Sequence, residues 1–106
     1  MTSSKNTSNV LSTLRALEPE LRAVGVRHIS VFGSVARGED TATSDVDLAL
    51  DLAPDSTPPG FQFVVYIERL KQRLATALSR DVDILVLPAR RAELRETLSR
   101  EAIAAF

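Results

Sequence analysis

Three short stretches carry residue types that could do chemistry together: Gly33-Ser34, the pair Asp45 and Asp47, and Asp83. Residues i and i+2 of a strand project from one face with Cα atoms roughly 6.5 Å apart, so the carboxylates of Asp45 and Asp47 can converge on a common cation. Without a cation, two like charges that close repel each other. Magnesium takes oxygen ligands, keeps several waters and is shared between a few carboxylates and substrate phosphates, which suits such a pair. In a two-metal site the ions sit about 3.5 to 4 Å apart and hold the attacking and leaving oxygens of an in-line displacement. Asp83, on a neighbouring strand, is placed to be a third carboxylate. Gly33 and Ser34 would hold the other half of the reaction. Glycine lets the backbone approach closely, and exposed N–H groups with a serine hydroxyl attract the outer phosphates of a nucleotide. Arg37, one helical turn beyond Ser34, could add a charge-assisted contact to them.

Each stretch has a plainer reading on its own. A Gly-Ser pair is more often an ordinary turn, and two aspartates can simply keep an edge strand wet. The combination, with Gly-Ser after one strand and Asp-x-Asp eleven residues later at the start of the next, shifts the balance to a metal–nucleotide site.

The elements that must hold these residues follow from hydropathy spacing. Val10, Leu11, Leu14, Leu17, Leu21 and Val24 form an apolar helix stripe interrupted by Pro19, which predicts a helix over about 8–17 and a short second one closed by Gly25. Val26 to Phe32 is β-branched and reads as a strand, followed by the Gly-Ser turn, a short helix ending at Gly38 and a polar loop. From Asp45 the alternation is clear: Val46, Leu48, Leu50 and Leu52 share one face, while Asp45, Asp47, Ala49 and Asp51 share the other. Phe63, Ile67, Leu70, Leu74, Ala77 and Leu78 mark a long amphipathic helix after a Pro-rich loop. Asp81 to Leu87 reads as a third strand, and a final helix is expected over about 90–106.

Among other polar residues, Asp51 is expected to be solvated and Asp81 to sit in a turn. His28 reads as structural, Tyr66 as helix packing, and the Arg and Glu of the last helix as a wet face with i,i+4 pairs.

Length and composition bound the rest. The 106 residues suit one domain, 1–106, with the polar residues 1–8 expected to be disordered. Thirteen Lys and Arg against fourteen Asp and Glu give a net charge of -1, so there is no overall electrostatic footprint for nucleic acid or an anionic membrane. There is no cysteine, hence no disulfide or thiolate metal site. No apolar run approaches a membrane span and the first residues lack a signal-peptide core, so the expected location is cytoplasmic. The expected architecture is α/β: a small mixed sheet of about three strands, helices over one face and the acids on the other side.

The stretch Val31-Phe32-Gly33-Ser34-Val35-Ala36-Arg37-Gly38, followed by Ser44-Asp45-Val46-Asp47-Leu48, resembles the DNA polymerase β-type nucleotidyltransferase superfamily in its minimal branch. The Val82-Asp83-Ile84 strand and the Arg100-Glu101-Ala102 ending are similar too, so the whole chain is covered in outline. The resemblance implies a polymerase β-like fold, with Asp45, Asp47 and Asp83 binding Mg2+, two ions in all, and Gly33 and Ser34 holding the triphosphate of ATP. It further implies an antitoxin that transfers AMP from ATP to a tyrosine hydroxyl of a cognate HEPN ribonuclease toxin, releasing pyrophosphate. A non-catalytic antitoxin that neutralises its toxin by occlusion is the alternative. Transfer to a small molecule or an RNA end is disfavoured by the absence of an added acceptor domain and of a basic patch.

Overall fold

The computed structural model describes residues 2–41 and 43–106, with side chains from Asn6 onward. In chain order the elements are α1 (Thr2–Ala16), α2 (Glu18–Ala23), β1 (Val26–Phe32), α3 (Gly33–Arg37), β2 (Val46–Leu52), α4 (Phe61–Leu78), β3 (Val82–Val86), α5 (Ala92–Glu101) and β4 (Ile103–Ala104). A single 3-10 turn over Pro54–Ser56 interrupts the loop before α4.

The apolar face read in β2 is the centre of the core. Val46, Leu48 and Leu50 are fully buried, together with Ile29 and Val31 of β1, Leu14 of α1, Leu21 of α2 and Leu74 of α4. Each of these helices turns its stripe onto one side of the sheet, which is how an amphipathic helix and a half-apolar sheet satisfy each other. No helix among the described residues is long and apolar enough to cross a membrane.

The strand order is β3-β2-β1-β4. β1 and β2 are antiparallel. β2 and β3 are parallel, joined by α4, as a parallel pair requires a long crossover. The architecture is the expected α/β one, but the sheet has four strands rather than about three. The difference lies at the end of the chain. The expected last helix stops at Glu101, and Ala102 turns extended (φ -67°, ψ 134°). Ile103 and Ala104 then pair with Val31 and Ser30. Alanine favours helix, yet pairing here covers the edge of β1 that would otherwise stand open, and tertiary context overrides propensity.

The first helix also departs from expectation. It starts at Thr2, not near Ser8, and the buried Thr7 hydroxyl donates to the Val35 carbonyl of α3. Long-range docking of this kind is invisible to a reading of local polarity.

The loop that delivers Asp45 is pinned from below. The Arg80 guanidinium pairs with the fully buried Asp40 carboxylate at 2.8 Å. It also donates to the carbonyls of Thr41 at 3.0 Å and Ser44 at 2.6 Å. The Val46 N–H donates to the Asp81 carbonyl at 2.9 Å, closing the entry to β2. Removing one member of a buried pair leaves an uncompensated charge. Arg80→Ala is therefore expected to cost about 3 to 5 kcal/mol in urea unfolding, and Asp40→Asn in the same chain should recover part of that loss.

Candidate active site

β1 runs directly into α3, and the junction sets the site. Phe32 is extended, while Gly33 adopts φ +74°, a conformation that L side chains rarely take. A Cβ at Gly33 would meet Asp47: it would fall on Oδ2 and lie 3.1 Å from Cγ. Glycine is thus required twice, once by its backbone and once by its neighbour. The helix it opens lasts five residues and closes on Gly38 at φ +72°.

Strand register brings the acids to the same place. Phe32 is opposite Asp47 across β1 and β2, and Asp47 is opposite Asp83 across the parallel pair β2 and β3. Asp45 stands one residue ahead of β2, on the pleat side of Asp47. Asp47 is half-buried; Asp45 and Asp83 are exposed. Ala49, on the same face, is buried, so the acidic face is open at its ends and closed at its middle.

Burial pushes the Asp47 carboxyl up from the ordinary carboxylate value, and the charges of Asp83 and Asp45 push it further. Arg37 pulls in the opposite direction and Glu101 adds a smaller upward push. The Asp47 carboxylate is therefore close enough to those of Asp83 and Asp45 to be repelled by them. Among the described residues, no three His, Cys, Asp or Glu side chains form a ready-made metal cage. The donors are nevertheless all carboxylate oxygens, two of them on exposed side chains, which fits a hard divalent cation.

Arg37 lies at the same end of the sheet. Its Nε donates to Glu39 at 3.0 Å, and its Nη1 donates to both carboxylate oxygens of Glu101 at 3.1 and 3.3 Å. Glu101 Oε1 also accepts the Gly33 N–H at 3.0 Å. Sequence reasoning names Glu101 within the Arg100-Glu101-Ala102 ending but reads the Glu of this helix as a wet face and misses its contact with the turn; its side chain is only 20% exposed. It stands 68 positions from Gly33, and no local period links the two.

The remaining residues fall outside this constellation. Asp51 is not simply solvated, since Arg27 pairs with it at 2.9 Å. Tyr66 packs beside Phe63, and its hydroxyl donates to the Val24 carbonyl at 2.7 Å. His28 is an exposed strand residue, and Asp81 sits just ahead of β3.

Comparison with known proteins agrees with this fold. Residues 17–104 match the family model described as Polymerase beta, Nucleotidyltransferase. The protein adenylyltransferase MntA of Thermococcus cleftensis is 34% identical over 93 residues, which are 87% of this chain and 88% of that one. A crystal structure of a toxin–antitoxin with AMP-PNP superposes with a TM-score of 0.67 at 25% identity, over 89% of this chain and 72% of that one. The fold recurs, at 23% identity and a TM-score of 0.56, in a complex of tri-AMPylated Shewanella oneidensis HEPN toxin with MNT antitoxin, over 98% of this chain and 71% of that one. The chain belongs to the polymerase β nucleotidyltransferase family. Within that family its relatives include the protein adenylyltransferase MntA.

Two outcomes follow from the geometry. Gly33→Ala should destabilise the fold by about 1 to 2 kcal/mol from the backbone conformation alone, with Asp47 displaced in addition. Asp47→Ala in the same chain should relieve only the second part, as read by thermal melting. For Asp47 the folded chain holds its proton more tightly than the unfolded chain does. Its contribution to stability is thus present below the ordinary value of 3.8 and lost as pH rises through the raised value. In chelator, Asp47→Asn should raise Tm at pH 7, and the difference should vanish below about pH 3.8.

Proposed function

We propose that this chain is an antitoxin nucleotidyltransferase that moves AMP from ATP to a tyrosine hydroxyl of a cognate HEPN-type toxin. The observation that carries the reading is the contact between the Gly33 turn and Asp47, with Asp83 opposite on the next strand. The turn assigned to the polyphosphate and the acids assigned to the metal thereby lie side by side, which supports nucleotidyl transfer. The MntA relative is a protein adenylyltransferase, and the toxin–antitoxin structure of the same fold contains AMP-PNP, an analogue of ATP. Both support the same choice of nucleotide and acceptor class.

In this mechanism Gly33, Ser34 and Arg37 orient the polyphosphate, so that the α-phosphorus faces the incoming hydroxyl and pyrophosphate points away from it. Asp45, Asp47 and Asp83 would hold Mg2+, which when bound supplies charge neutralisation for the polyphosphate and acidity to a nearby hydroxyl. The tyrosine oxygen forms a bond to the α-phosphorus while the bond from the α-phosphorus to the oxygen that bridges it to the β-phosphate breaks. Pyrophosphate leaves with that electron pair, and Asp83 receives the hydroxyl proton. Little covalent work falls to the protein; its contribution is alignment and electrostatics.

The test incubates the chain with its toxin, ATP and Mg2+ and weighs the toxin by mass spectrometry. The expected product is toxin heavier by whole adenylyl groups, with the groups on tyrosine. Asp45→Ala with Asp47→Ala should lower the rate by at least about a hundredfold and abolish protection of cells from the toxin. Unmodified toxin in a complex that forms, with the double variant still protective, would instead mean neutralisation by occlusion. Mg2+ should also raise the Tm of the wild type and leave the double variant unmoved.

A further inference from the structure

Glu101 has no part in the mechanism above, yet it touches both the turn and the arginine assigned to the nucleotide. We propose that Glu101 is a positioning residue for nucleotidyl transfer: by accepting the Gly33 N–H it fixes the peptide plane that leads into Ser34, and by pairing with Arg37 Nη1 it orients the guanidinium, so that Ser34 and the remaining guanidinium N–H groups face the polyphosphate. The inference rests on the nucleotidyltransferase reading.

The geometry is specific. One carboxylate oxygen accepts from Gly33 N at 3.0 Å and from Arg37 Nη1 at 3.1 Å, and the other lies 3.3 Å from the same Nη1. The direction of the Gly33 N–H fixes the peptide plane between Phe32 and Gly33, and with it the course of the backbone into Ser34. That plane already carries the positive φ and the contact with Asp47, so a small rotation there would displace the turn and the acid together.

The backbone behind Glu101 is held firmly enough to serve as an anchor. Ala102 N donates to Leu98 O at 2.9 Å, and Ile103 and Ala104 pair with the very strand that delivers Gly33. Beyond them, Ala105 N donates to Ile29 O at 2.8 Å, and Arg15 Nε donates to Ala105 O at 2.9 Å. β1 therefore reaches the site directly through Gly33 and a second time through β4 and Glu101.

Charge argues for a geometric role. A carboxylate beside Asp47 and next to an incoming polyanion opposes binding, the reverse of what charge complementarity alone would select. Hydrogen bonding to Gly33 and pairing with Arg37 explain its place there. Without Glu101, the ion pairs of Arg37 among the described residues reduce to Glu39, which lies on the exposed side.

The experiment compares wild type, Glu101→Ala and Glu101→Gln, each with the toxin, ATP and Mg2+. A misplacement of about 1 Å caused by a residue away from the reacting atoms can cost about a hundredfold. Glu101→Ala should lose about ten- to a hundredfold in kcat/KM for ATP, more through kcat than through KM. Glutamine keeps an acceptor oxygen for the Gly33 N–H and should return most of the activity. Hydrogen exchange gives a second readout free of turnover: the Gly33 amide should exchange faster in Glu101→Ala, stay protected in Glu101→Gln, and leave the β2 amides unchanged in both. An unimpaired Glu101→Ala, or one that binds AMP-PNP more tightly, overturns the inference while leaving the function intact. Glutamine as damaging as alanine with a protected Gly33 amide overturns it also, since charge rather than position would then be at stake. A wild-type chain that transfers no AMP overturns the parent reading and this inference with it, whatever the variants do.

Discussion

The close approach of Gly33 to the Asp47 carboxylate is the contact on which the site depends. It exists because β1 and β2 pair in a register that sets Phe32 against Asp47, leaving the next residue of β1 to turn over that carboxylate. A slip of one residue would rotate every side chain of β2 to the opposite face, sending Asp47 into the core and Leu48 into water. The fully buried Val46, Leu48 and Leu50 forbid that slip. The hydrophobic core therefore specifies the position of the acids as firmly as it specifies the fold, and a single strand does both.

Holding these acids together costs the folded chain something. Asp47 is partly buried beside Asp83 and Asp45, and its raised pKa records that its ionised form is disfavoured. Proteins commonly keep such strain where function needs it. Here the surrounding structure is built to tolerate it. Arg80 locks the loop before Asp45 through buried Asp40 and two carbonyls, and the Asp81 carbonyl receives the first amide of β2. Side chains free to relieve the repulsion by moving are those of Asp45 and Asp83, which are exposed, rather than the backbone that carries them.

The end of the chain gives the site a second support. β4 closes the open edge of β1, and Glu101, one helical residue before the turn into that strand, bridges back to Gly33 and Arg37. The edge strand and the carboxylate belong to one device: the pairing fixes the backbone, and the fixed backbone aims the side chain. Such a device needs residues separated by nearly the whole chain.

By itself, the sequence determined what local periodicity can encode. The two-residue alternation of β2 placed Asp45 and Asp47 opposite a core face, and the stripe of α4 placed Leu70 and Leu74 inward, because burying apolar side chains leaves few alternatives. The Gly-Ser turn after β1 was legible for the same reason, since glycine follows a strand where the backbone must take a positive φ. Only the tertiary structure decided the rest. It converted the last residues of an expected helix into β4, because an unpaired strand edge outweighs the helix preference of alanine. It extended α1 to Thr2, helped by a side chain that finds its partner on α3. It also placed Glu101 on Gly33, a contact whose distance along the chain leaves no trace in any local pattern.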